Sequence, residues 1–247
     1  MAGHSKWAQI KRQKAANDHK KGQIFSKLSR EIYVAVREAG PSPDTNVRLR
    51  MAIERAKREG MSSDTVERAI AKGSGASADG VEYQTVFYEG YGPGGVAVMA
   101  VALTDNRNRT AAEVRQAFNR HGGSLGETGT VGWQFDTIGQ VIVAASDHDS
   151  DEIELQAIEA GATDVSSEDG EVMITTEASE VNTVAEALRS AGLEVEAADI
   201  TRVPQNQVEI DGAQAQTAMK LLEALEDLDD IQEVFTNASF SEETAAV

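Results

Sequence analysis

The chain contains no cysteine. That excludes disulfides, thiolate nucleophiles and every zinc site built on Cys ligands, and it fits a reducing compartment. Histidine is also scarce: four residues, at positions 4, 19, 121 and 148, with no pair at helical spacing, so no metal site is expected. Nor does any apolar run reach the roughly 20 residues that a membrane helix needs. The opening residues lack the apolar core of a secretory signal. They are basic and acid-poor, as a mitochondrial presequence is, but they are rich in Lys, poor in Ser, and hold only Trp7 and Ile10 as bulky apolar residues. A cytoplasmic protein is the expectation. No G-x-S-x-G elbow is present to make His121 and Ser124 parts of a hydrolytic triad, and 41 acids make chance carboxylate pairs inevitable. The expectation is therefore no enzyme: no catalytic residues, no cofactor and no small-molecule substrate.

Positive charge is missing from most of the chain, and what there is sits at one end. The formal net charge is −18, yet residues 1–75 hold 16 Lys+Arg against 8 Asp+Glu, net +8, and residues 76–247 hold 7 against 33, net −26. The stretch "GHSKWAQIKRQKAANDHKKG", residues 3–22, carries six Lys and Arg against the single acid Asp18. Cations at this density neutralise backbone phosphates and displace condensed counterions, and a tryptophan among them stacks on an exposed base. The competing reading is a solvated tail that only aids solubility. The candidate nucleic-acid-binding residues are His4, Lys6, Trp7, Lys11, Arg12, Lys14, Lys20 and Lys21, with Lys27 and Arg30 continuing the field. "DNRNR" adds Arg107 and Arg109 at a predicted helix start, where cations oppose the helix dipole. Anion binding accounts for that, and so does pairing with Asp105 or Glu113. Arg115 and Arg120 would extend such a patch.

Periodicity organises the rest. Ile24, Phe25, Leu28, Ile32, Ala35 and Val36 recur at helical spacing up to Gly40-Pro41, and a second helix after "PSPDTN" buries Leu49, Ala52, Ile53 and Ala56. A third starts with Ser62 as N-cap, carries a Met61–Val66 staple and stops at Gly73. "GSGASADG" is the expected domain boundary. Beyond it, "VEYQTVFYEGYGPGGVAVMAVAL" reads as two strands around a Gly/Pro turn, not as a phosphate loop, because no helix follows the glycines. Thr110 with Glu113 reads as the capping box of the next helix, and "TVGWQFD" as another strand. Residues 138–203 alternate strand, helix, strand, strand, helix, strand, the ferredoxin-like pattern. A last helix and strand then return to complete the sheet begun before it.

The expected fold class is α+β multidomain: a three-helix bundle followed by two α/β sandwich-like domains, one ferredoxin-like and inserted in the other. The expected domains are 1–75 (basic arm and bundle), 80–137 plus 205–240 (discontinuous middle domain) and 138–204 (insertion).

"MAGHSKWAQIKRQKAANDHKKGQIFSKLSREI", "NVRLRMAIERAKREGM", "YEGYGPGGVAVMAVALTDNRNRTAAEVR" and "GGSLGETGTVGWQF" together resemble the YebC/PmpR family, whose mitochondrial relatives include the translational activator of cytochrome c oxidase. The resemblance implies three domains, no enzymatic activity, and either of two roles: a DNA-binding transcriptional regulator acting at promoter DNA, or a ribosome-associated factor that binds ribosomal or transfer RNA and relieves stalled translation. The first role requires base-edge contacts from an element in a groove, and no helix of the bundle carries clustered Arg, Asn and Gln at its N-terminus. The second requires recognition of folded RNA by shape and stacking, which the extended basic opening and paired Gly-rich loops suit.

Overall fold

The computed structural model describes residues 18–75, 82–144, 149–168 and 170–240. Three helices open it: α1 (Asp18–Ala39), α2 (Val47–Arg58) and α3 (Ser63–Ser74). Their apolar stripes meet in one core of Leu28, Ile32, Ala35 and Val36 from α1, Leu49, Ala52 and Ala56 from α2, and Met61, Val66 and Ala69 around α3. Asn46 caps α2, its side-chain oxygen accepting the Leu49 N–H at 3.0 Å, while its amide donates to the carbonyls of Ala35 and Gly40 at 2.8 Å each. Gly73 does not stop α3 as expected. It lies inside the helix, buried, where an added Cβ would stand 2.9 Å from Val36 Cβ and 3.0 Å from the Tyr33 carbonyl oxygen, so it lets α3 press against α1.

The chain then forms β1 (Gln84–Tyr91), β2 (Ala97–Thr104), α4 (Arg107–Arg120) and β3 (Ser124–Leu125). Next come β4 (Phe135–Ala144), α5 (Ser150–Ala160), β5 (Asp164–Glu168), β6 (Glu171–Glu177), α6 (Val181–Ser190) and β7 (Val195–Pro204). The described chain closes with β8 (Val208–Ile210), α7 (Gly212–Glu226), β9 (Ile231–Thr236) and β10 (Ala238–Phe240). Phe135–Val203 forms one compact unit, and the chain before and after it forms another.

Within the larger unit the sheet runs β3-β1-β2-β9, antiparallel throughout, with β8 and β10 making a separate parallel pair. The β1–β2 hairpin turns at Pro93–Gly95, where Gly94 and Gly95 take φ of 75° and 77°. Val98, Ala100 and Ala102 of β2 share a core with Val114 and Phe118 of α4 and Leu221, Leu222 and Leu225 of α7, so the two helices cover one face of the sheet. The smaller unit has strand order β5-β6-β4-β7, in which every crossover is that of the ferredoxin-like pattern. Val141, Val143, Val172 and Ile174 pack there with Ile153, Val184 and Leu188, all buried. The fold is thus α+β, helices first and sheet domains after.

Two further local expectations fail. Thr110 does not open α4: Asn106 is the N-cap, accepting the Arg109 N–H at 3.1 Å, and Thr110 is buried one turn inside. "TVGWQFD" is not a strand of its own. Val131 and a 3-10 turn over Gly132–Gln134 precede β4, because a buried carboxylate takes the N–H groups that a strand would have paired.

Candidate nucleic-acid interface

His4, Lys6, Trp7, Lys11, Arg12 and Lys14 lie outside the described residues, and of Lys20 only the backbone is described, in the first turn of α1. Lys21 follows it, exposed. Further along α1 the cations turn inward on the protein itself. Lys27 Nζ donates to the Glu226 carbonyl at the end of α7. Arg30 Nη1 donates to the carbonyls of Asp229 at 2.8 Å and Leu103 at 3.3 Å, stands 3.3 Å from the Asp230 carboxylate, and lies over the Tyr83 ring. From α2, Arg55 pairs with Glu233 of β9 at 2.9 Å. Lys27, Arg30 and Arg55 therefore clamp the bundle to the α7–β9 end of the sheet.

Asp230 is the centre of that clamp. It is buried in the α7–β9 turn, and its Oδ2 accepts from Arg109 at 2.7 Å, Thr110 at 2.7 Å and Thr104 at 2.9 Å. Burial pushes this carboxyl up, but the bonds from Arg109, Thr110 and Thr104 outweigh it and hold the group below the ordinary carboxylate range. Arg109 is raised in turn, first by its bond to Asp230 and then by that to Asp105. A cleft of about 640 Å³ opens beside these groups, lined by Gln23, Arg30, Tyr83, Arg109 and five acids, Asp230 and its turn neighbours Asp227 and Asp229 among them. The anion that Arg109 and Arg30 hold here is a carboxylate of this chain. Arg107, by contrast, is exposed at the start of α4, and its carbonyl accepts from the Tyr88 hydroxyl at 3.2 Å.

A second buried carboxylate organises the Gly-rich loops. Glu89 of β1 accepts the N–H groups of Gly129, Val131 and Gly132 at 2.9, 2.8 and 2.6 Å. Burial raises its pKa, and the three backbone donors more than reverse that, leaving it lowered. Gly90 beside it permits β3 to approach: an added Cβ would meet the Ser124 carbonyl oxygen at 2.4 Å. On this pinned loop Trp133 is 67% exposed, and Tyr91 at the end of β1 is 39% exposed, with Trp133 Nε1 and the Tyr91 hydroxyl donating to the same Thr130 carbonyl. Tyr88, three residues earlier in β1, is buried in the core.

Sequence reasoning passed over Trp133, and over Glu89 and Asp230 altogether. Glu89 and Asp230 were two acids among 41, and only tertiary neighbours tell them apart.

The fold and this clamp define a multidomain α+β protein in which a cationic helical bundle is docked on an acidic sheet domain. The comparisons name the group: residues 5–76 match the family model described as "TACO1/YebC protein N-terminal domain", and residues 83–238 match "TACO1/YebC second and third domain". The chain belongs to the TACO1/YebC family. A "Probable transcriptional regulatory protein" from Thermomicrobium roseum is 66% identical over 243 residues, 98% of each chain. One of the same name from Halothermothrix orenii is 49% identical, over 98% of this chain and 97% of that one. The crystal structure of the conserved hypothetical protein Aq1575 from Aquifex aeolicus is similar with a TM-score of 0.86 and 47% identity, over 96% of this chain and 98% of that one.

Proposed function

We propose that this chain is a non-enzymatic, cytoplasmic, nucleic-acid-binding regulator of gene expression, acting on DNA as a transcriptional regulator. The observation that carries the reading is the division of charge, net +8 over residues 1–75 and net −26 over the remainder. Lys6, Lys11, Arg12, Lys14, Lys20 and Lys21 neutralise phosphates, and Trp7 and His4 add stacking and hydrogen bonding. Away from the arginine-bearing α4, the acidic domains are repelled by the same polymer, so binding has a direction. The names of the Thermomicrobium and Halothermothrix relatives support transcription as the process. Lys27 and Arg30 serve this function indirectly, by fixing the bundle on the sheet, and Arg109 by holding Asp230, the carboxylate that Arg30 meets.

One feature favours the ribosome as the target instead: the exposed Trp133 on its pinned loop is a ring suited to an unpaired base of folded RNA. Crosslinking in living cells, followed by sequencing of the attached nucleic acid, separates the two readings. Promoter DNA is the expected product, and ribosomal RNA would move the protein to translation. Reversing the charge at Lys11, Arg12, Lys14, Lys20 and Lys21 is expected to abolish attachment with the melting temperature unchanged. Attachment that survives the reversal refutes the electrostatic grip.

A further inference from the structure

Only seven Lys and Arg follow residue 75, and four of them, Arg107, Arg109, Arg115 and Arg120, lie within the 14 residues of α4, which hold one acid, Glu113. Arg109 is taken by Asp105 and Asp230. Among the described residues no ion pair is found for Arg107, Arg115 or Arg120, and all three are exposed. A helix face that is merely solvated in so acidic a protein would carry Glu or Asp at i,i+4 to its arginines. Arg107, Arg115 and Arg120 have no acid at that spacing; only Arg109 does, with Asp105 and Glu113.

The residues between those arginines are as selective as the charge. Val114, Ala117 and Phe118 turn into the core. Opposite them, Asn108, Ala112, Arg115, Gln116 and Asn119 recur at steps of three and four along one solvent stripe, every one exposed. Arg reads guanine through O6 and N7, Asn and Gln read adenine through N6 and N7, and a small alanine admits a thymine methyl. The stripe from Asn108 to Asn119 spans about 16 Å at roughly 1.5 Å per residue, and a helix about 10–12 Å across enters a B-form major groove about 12 Å wide. Arg107 and Arg120 then stand at the two ends of the helix, placed for flanking phosphates.

We propose that α4 is a recognition helix: its outer stripe lies in the major groove of duplex DNA and reads base edges, with Arg115, Gln116 and Asn119 as the specificity-determining residues. The site is separate from the basic arm, which supplies affinity without sequence preference. The inference rests on the proposed function, since it takes nucleic acid as the partner. A-form RNA does not satisfy it, because its deep, narrow major groove is closed to side chains.

The test is selection by the full-length chain from a library of random 20-base-pair DNA duplexes, followed by sequencing of the bound fraction. The wild type should enrich a motif at least about tenfold over background, as the loss of one good bidentate contact implies. Arg115→Ala/Gln116→Ala/Asn119→Ala should keep affinity for unselected duplex within about threefold while losing that motif. Arg115→Lys, which retains the charge and loses the fork, should relax guanine preference at a single position. The residues are exposed, so an unchanged melting temperature checks the fold. If the triple variant enriches the same motif, or if the wild type binds duplex in a salt-dependent way without enriching any, α4 is not a reader and the proposed function stands. If the wild type binds RNA but no DNA duplex, α4 is likewise refuted and the target is RNA. If it binds neither, the proposed function itself fails.

Discussion

Glu89 and Asp230 are buried carboxylates whose hydrogen bonds come from fixed donors, three backbone N–H groups for one and two threonine hydroxyls with an arginine for the other. Both are held ionised in the fold, with pKa values below those of an unfolded chain. A group depressed in this way contributes its stability in full above the unfolded pKa, about 4. It loses that contribution as pH falls through the lower folded value. Stability should therefore be flat from neutrality to about pH 5 and decline below it. Glu89→Gln places an amide N–H₂ among backbone donors, and Asp230→Asn leaves Arg30 without its anion and Arg109 with Asp105 alone. Each should cost about 2–3 kcal/mol at pH 7 and flatten the acid decline. Denaturant titrations at pH 7 and pH 4 measure both effects. Trp133 fluorescence in a Trp7→Phe background reports the Glu89 loop directly, and a Glu89→Gln protein as stable as wild type at pH 7 would refute the role given to that carboxylate.

At the scale of elements, Asn46 shows how a cap can also be a joint. Asp is as good an N-cap as Asn in general. Here it should fail, because Asn46 also donates to two carbonyls at the end of α1, and a carboxylate has nothing to donate. Asn46→Asp is thus expected to destabilise the bundle by about 2 kcal/mol or more, at least as much as Asn46→Ala, read by thermal melting. An Asp variant matching the wild type would reduce Asn46 to an ordinary cap. The same case marks what a sequence discloses. The apolar stripes of α1 and α2 and the strand-helix alternation of residues 138–203 were legible because burial imposes periods of 3.6 and 2 on the residues themselves. Gly73 was misread as a stop because a glycine inside a helix and one after it look alike until the neighbouring helix is known to approach within a Cβ of it. Thr110 was misread for a related reason: its hydroxyl serves Asp230, 120 residues away, and not its own helix terminus. The candidate site was legible as charge in the basic opening, whereas the inward bonds of Lys27, Arg30 and Arg109 depend on partners brought by α7 and β9.

For the whole molecule, the decisive quantity is how the two signs of charge respond to salt. The clamp of Lys27, Arg30 and Arg55 rests largely on carbonyls and on the buried Asp230, so screening acts weakly on it, and the bundle should stay seated on its sheet as ionic strength rises. The grip on a polyanion rests on released counterions and has no such protection. If the arm neutralises about five phosphates, log affinity should fall against log salt with a slope near −4.5 on duplex and near −3.5 on single strands. Repulsion from the acidic domains is screened over the same range, roughly a Debye length of 8–10 Å near physiological salt, and it makes the observed slope shallower than the count of arm cations implies. Arm reversal should cut the slope to the small remainder that Arg107 and Arg120 of α4 supply. Arg115→Ala should lower it by about one only if α4 meets phosphate as well as bases, so the difference between those two slopes, read by titrating a labelled duplex at several salt concentrations, apportions the contacts between the two ends of the bound surface. A slope that is flat in the wild type would mean that the cationic opening does not contact phosphate at all.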